Sequence, residues 1–256
     1  MQLFVFCEAP ADFRIASELV DRMLRESGPA WLGDLLEVAP EAVRSWHGDS
    51  DERTFFDIHK LDAYARRLSV RVPHGHFDGR PGRAGAAMAR TVFAILRKLV
   101  QNGTVVDAVL VMWDMDDRPA ERRMGLEQAR SEATKWAVFR IVFGCPNAMR
   151  EAWVLGGFDP EGDQEEQCMK ELRRELGFSP NEEAHRLDAS DEQARRSAKR
   201  VLRQLTGGDH QREARCWNQT PLATLRKRGG ETGLRAYLDE ITQHLVPLAT
   251  SVRDGR

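Results

Sequence analysis

Residues 108–113, AVLVMW, form an apolar run that ends directly against D-M-D-D, three aspartates within four positions. A run this short, valine-containing and bounded by charge, reads as a strand buried on both faces, and such strands belong to parallel sheets covered by helices. This constrains the fold before anything else is read. The run needs strands beside it, helices above and below, and an exit to water for its acids at the end of the sheet.

The rest of the first half supplies those parts. QLFVFC is a short apolar run rich in strand formers, and EAPADFRIASELVDRML follows it with Phe13, Ala16, Leu19, Val20 and Met23 at helical spacing. Residues 28–50 contain Gly28, Pro29, Gly33, Pro40 and Gly48 and read as irregular, with a short strand at LLEV. Residues 55–67 read as helix, LSVRVP as extended, and HGHFDGRPGRAG as a glycine-rich basic loop before the helix AAMARTVFAILRKLV. After AVLVMW come a polar helix over residues 121–135 and a strand in AVFRIVF. From Met149 onward the pattern turns helical and charged, with DQEEQCMKELRREL, DEQARRSAKRVLRQL and TGLRAYLDEITQHLVPL as its clearest segments. The expected architecture is an α/β core over residues 1–148, its mostly parallel central sheet flanked by helices. A helical C-terminal part, 149–256, is expected to pack on that core as one structural unit.

Charge excludes one class of behaviour. With 38 Lys+Arg against 40 Asp+Glu, the net charge of -2 gives no global attraction to nucleic acid or to a membrane surface, so any such binding is local. The four cysteines, Cys7, Cys145, Cys168 and Cys216, form no C-x-x-C pair, which points to reduced thiols rather than a zinc or redox motif. The opening MQLFVFCEAP has neither a basic leader nor a signal-length apolar stretch, and no run of about 18 apolar residues occurs. A soluble, cytoplasmic protein is expected.

In an open parallel sheet, ligands sit beyond the carboxyl ends of the strands. Glu8 follows the first strand as Asp114 follows AVLVMW, so both acids belong to one rim. An extended backbone aims Asp114 and Asp116 to the same side and turns Asp117 away. Carboxylates gathered so closely repel each other unless a cation lies between them, and oxygen-only ligands favour Mg²⁺ or Mn²⁺ over Zn²⁺. A D-x-D-D after a strand also serves as a solvated turn capping the next helix. Haloacid-dehalogenase-type phosphatases carry an aspartate pair after an apolar strand, normally the first strand and with Thr or Val following, where this chain has Asp117-Arg118. Glycosyltransferases with D-x-D lack the matching acid on an N-terminal strand. Neither accounts for Glu8.

The order FVFCE, then VLVMWDMDD, resembles the Toprim domain of topoisomerases, bacterial primases and the OLD (overcoming lysogenization defect) nucleases. AMREAWVLGGF is similar to the E-x-E-A-W helix start of small prokaryotic Toprim proteins related to the OLD group, and RLDASDEQARRSAKRVLRQL to their P-E-x-x-x-x-x-K-x-x-L segment. The resemblance implies a Toprim-like fold with Glu8 as the Toprim glutamate and Asp114 and Asp116 as the aspartate pair, Asp117 beside them in the metal set. It implies Glu151 as the acid before Ala-Trp and Lys199 as the later lysine, both in the catalytic set. Where the family usually has Gly after the first glutamate, this chain has Ala9-Pro10, which stiffens the loop. The implied activity is Mg²⁺- or Mn²⁺-dependent hydrolysis of phosphodiester bonds in DNA or RNA. A phage-defence role with an ABC- or SMC-like ATPase partner is implied as well, with no membrane involvement and with oligomers allowed. Two alternatives accompany this expectation: a non-catalytic Toprim-fold module binding an ATPase or a phage component, which Ala9-Pro10 favours, and a phosphatase with Asp114 as nucleophile.

Arg118, next to the aspartates, is placed to meet a phosphate or to neutralise Asp116 or Asp117. His76, Arg80 and Arg83, with His74 nearby, could wrap a nucleic-acid backbone, since glycine allows close approach and arginine grips phosphate bidentately; a plain surface loop is the other reading. Arg226, Lys227 and Arg228 before Gly229 read as a helix C-terminus satisfied by cations, and Trp136, Trp153 and Trp217 as core.

Overall fold

The computed structural model describes residues 1–50, 53–71, 76–77, 80–81, 84–115, 118–147 and 149–251, with backbone alone at 76–77 and 80–81. The chain divides into two compact units. The first comprises Met1–Trp113, Arg118–Phe143 and Glu240–Arg256, and the second Asp114–Asp117 and Gly144–Asp239.

The first unit is the α/β part. It contains β1 (Gln2–Cys7), α1 (Pro10–Ser27), α2 (Ala30–Val38), α3 (Pro40–Val43), β2 (Ser45–His47), β3 (Phe56–Asp57), α4 (Leu61–Arg67), β4 (His76–Phe77), β5 (Arg80–Pro81), α5 (Ala86–Gln101), β6 (Ala108–Met112), α6 (Pro119–Ala133) and β7 (Arg140–Gly144). The main sheet has the order β2-β1-β6-β7, with β3 also pairing with β1. β1 runs parallel to β2, β3 and β6. Every residue of β6 is buried, as an apolar run without alternation requires. Phe6 stacks on Phe56 with ring centroids 4.6 Å apart, which locks the short β3 against β1.

Helices cover the sheet. Ile15, Leu19, Val20 and Met23 on one stripe of α1 are buried. α5 and α6 pack together, and Arg90 grips Glu132 with two hydrogen bonds of 2.8 and 2.9 Å. Gly125 is required where α6 meets the chain entering α5, because a Cβ there would collide with the Ala84 carbonyl oxygen and come within 2.7 Å of the Ala86 nitrogen.

Four expectations for this unit are corrected. LLEV lies in α2 and not in a strand, since Leu32 and Leu36, four apart, are its buried residues. Residues 55–67 are not one helix: Phe56 and Asp57 pair with β1 before α4 begins. The described part of LSVRVP, residues 68–71, is not extended throughout: Leu68 has φ −90° and ψ 4°, Ser69 has φ 53°, and the Val70 N–H donates to the Ala65 carbonyl at 2.8 Å, which closes α4. Residues 28–50, read as irregular, hold α2, α3 and β2.

The second unit is helical: α7 (Glu151–Gly156), α8 (Asp163–Leu176), α9 (Ala198–Thr206), α10 (His210–Asn218), α11 (Leu222–Arg228) and the start of α12 (Leu234–His244); α13 (Val246–Ser251) follows in the first unit. Its core is built on Trp153, fully buried, stacked on Tyr237 at 5.2 Å and donating from Nε1 to the Thr232 carbonyl at 2.7 Å. The helix expected over DEQARRSAKRVLRQL begins only at Ala198, because the Ser197 hydroxyl caps it by accepting from the Arg200 N–H. Among the described residues, no helix is long and apolar enough to cross a membrane.

Candidate functional site

The sheet register decides where the acids leave. In the parallel pair β1–β6, Val5 stands opposite Leu110 and Phe6 opposite Val111, so the two strands end level at the same end of the sheet. Glu8 is the first residue after β1, and Asp114 the second after β6. Both are half-buried. Asp116 and Asp117 lie outside the described residues, as do Arg83 and His74. His76 and Arg80 are described by backbone only, in the antiparallel pair β4–β5. Arg118 is exposed and lies 3.9 Å from Glu121.

Ala9 and Pro10 have a local explanation. Ala9 has φ −144° and ψ 161°, extended backbone open to any residue, so alanine in place of glycine carries no strain there. Pro10 is the first residue of α1, where its missing N–H is no loss. The Ala9 N–H donates to Asp12 Oδ2 at 2.9 Å, which fixes the helix start. This departure from the Toprim pattern serves the entry into α1.

Within the second unit, Glu151 and Lys199 share a cleft. Glu151 opens α7 and receives a 2.9 Å hydrogen bond from Arg150 Nη2. Lys199, the second residue of α9, donates from Nζ to Glu192 Oε1 at 2.9 Å. That hydrogen bond, with the charges of Glu151, Glu192 and Asp114, outweighs burial and holds the amine above its ordinary value, so Lys199 stays cationic. The cleft measures ≈ 290 Å³ and is lined by Arg150, Glu151, Lys199, Leu202, Arg203, Gly208, His210 and Glu213.

The structure thus sets Glu151 and Lys199 in one cleft, and the charge of Asp114 also raises the Lys199 amine. Sequence reasoning missed Arg150, Arg203, His210 and Glu213. The i,i+4 spacing of Lys199 and Arg203 was an available signal, whereas His210 and Glu213 reach the cleft only through tertiary packing. Among the described residues, no three His, Cys, Asp or Glu side chains are grouped to hold a metal ion.

No family model, curated protein or solved structure matches the chain. The chemistry of the site is therefore carried by its own residues.

Proposed function

We propose that this protein is a Mg²⁺- or Mn²⁺-dependent nuclease with a Toprim-like core, hydrolysing phosphodiester bonds in DNA or RNA. The observation that supports it most is the side-by-side parallel pairing of β1 and β6, whose level ends are followed at the same end of the sheet by Glu8 and Asp114. An all-carboxylate donor set of Glu8, Asp114 and Asp116, with Asp117 beside it, suits a hard divalent cation. When bound, such a cation activates water and offsets charge on the phosphate. The chain's own side chains add the rest. Lys199, held cationic, can balance a phosphate oxygen, and Arg150 orients Glu151 beside it. A cytoplasmic phage-defence complex with an ABC- or SMC-like ATPase is part of the same proposal and rests on the resemblance alone.

The test is incubation of purified protein and of Asp114→Ala with plasmid and with RNA, in Mg²⁺ and in Mn²⁺. Cleavage by the wild type and its loss in the variant is the expected result. Inertness of both in either metal, with the candidate ATPase present, overturns the proposal and leaves a binding module. Phosphate release from small phosphomonoesters, with an adduct trapped on Asp114, makes the protein a phosphatase instead.

A further inference from the structure

The cleft of the second unit keeps its two carboxylates deep, the Glu151 and Glu213 side chains each only 12% exposed. Of its cations, Arg150 is as recessed as they are, at 12%, whereas Lys199 is 43% exposed and Arg203 is exposed, with the His210 ring 82% exposed beside them. Glu151 is already engaged by Arg150 at 2.9 Å, and the His210 ring lies 3.5 Å from Glu213. Among the lining residues, an incoming group therefore meets Lys199 and Arg203 before the carboxylates, while Glu192, which accepts from Lys199 at 2.9 Å, stands beside them outside the lining.

Local backbone builds this arrangement. Lys199, Leu202 and Arg203 share one face of α9 through their i, i+3 and i+4 spacing. Gly207 and Gly208 then turn the chain with φ of 65° and 78°, left-handed values natural to glycine, and start α10 so that His210 returns to the same cleft. A volume of ≈ 290 Å³ is at the small end for ligand sites, suited to a phosphate with part of its sugar and too small for a duplex. Arginine supplies the planar fork that binds phosphate bidentately, and lysine a point charge.

We infer that this cleft is a phosphate subsite for a single polynucleotide strand, with Arg203 and His210 as binding residues that hold the strand beside Lys199. The identity of the anion rests on the nuclease reading; the binding itself does not need the metal.

Anisotropy of a labelled single-stranded oligonucleotide, titrated in EDTA over a range of salt, tests it. Arg203→Gln is expected to bind about tenfold more weakly, as for one lost charge-assisted hydrogen bond. Its log K against log salt should flatten by about 0.7, as for one phosphate contact removed from a single strand. His210→Gln should weaken binding several-fold. Lys170→Gln removes the same charge from α8 at a residue outside the cleft lining and should leave both quantities unchanged. Absence of wild-type binding, an Arg203→Gln variant indistinguishable from wild type, or equal weakening by Lys170→Gln overturns the subsite. Competition by an acidic peptide as strong as by the unlabelled oligonucleotide overturns it too. Because no metal is present, binding that persists in a protein inert as a nuclease removes only the nuclease reading. A nuclease that is active with Arg203→Gln unchanged in affinity and salt slope removes only the subsite.

Discussion

Arg150 closes on its own neighbour: its Nη2 donates to Glu151 Oε1 at 2.9 Å, and each side chain is only 12% exposed. Adjacent residues within a helix do not face each other, but Arg150 sits at the N-cap of α7 and can wrap around its start. Arg150→Ala strands a largely buried carboxylate, a loss of about 1–3 kcal/mol. Urea unfolding of the variant should show that loss, and Arg150→Lys should recover part of it, because lysine keeps the charge without the fork. A midpoint equal to wild type would show that the pair contributes nothing.

Acid should act on the second unit through Glu165. Burial alone would raise its carboxyl, but hydrogen bonds from Arg212 at 2.8 Å and from the Glu161 N–H at 2.7 Å overcome this and hold it below the ordinary 4.5. A depressed folded-state value means stability that is present above 4.5 and lost as pH falls through the folded value. Glu165→Gln should therefore be less stable than wild type at pH 7, by about 1–3 kcal/mol. The gap should narrow as pH falls below about 4.5. Parallel melting curves for the two proteins would spoil this expectation.

What was legible in the sequence followed from local pattern. β1, α1, α5, β6, α6 and β7 all announce themselves by apolar runs or helical spacing, and the ends of β1 and β6 put Glu8 and Asp114 in view. β2 and β3 were invisible because they exist by pairing with β1: Ser45–His47 is half-exposed, and Phe56–Asp57 is two residues long. LLEV misled because four apolar-rich positions fit either period until Leu32 joins Leu36. At the cleft, Glu151 and Lys199 were singled out only by the resemblance, through E-A-W and the later lysine. His210 and Glu213 were not, because the Gly207-Gly208 pair announces a turn but only helix packing decides which cleft the residues after it reach.

Gly125 offers a steric test of the first unit. A methyl group there would strike backbone, the Ala84 carbonyl and the Ala86 nitrogen, neither of which can swing aside as a side chain can. Gly125→Ala should cost about 1–3 kcal/mol, the usual range for overpacking. Gly156 in α7 is the counterpart, since the nearest atom to an added Cβ is Arg228 Cβ at 3.9 Å. Gly156→Ala should be neutral or stabilising by about 0.4–1 kcal/mol, through the reduced freedom of the unfolded chain. Equal midpoints for the two variants would contradict this packing.

A divalent cation should reverse the stability order of two proteins. On the proposed reading Glu8, Asp114 and Asp116 are gathered, and gathered carboxylates repel one another when no cation lies between them. In EDTA, then, relief of that repulsion should bring Asp114→Asn to or above the wild-type midpoint. In Mn²⁺ the wild type gains stability as a ligand bound to the folded state alone, about 2.7 kcal/mol at a hundred times the dissociation constant. Asp114→Asn and Glu8→Gln should gain much less, so that the wild type becomes the most stable of the three. A general salt effect would move all three proteins together, and a purely structural role for Asp114 would leave its variant weaker in EDTA as well. Only a cation shared by these acids makes the order cross, and a wild-type midpoint unmoved by Mn²⁺ would remove it.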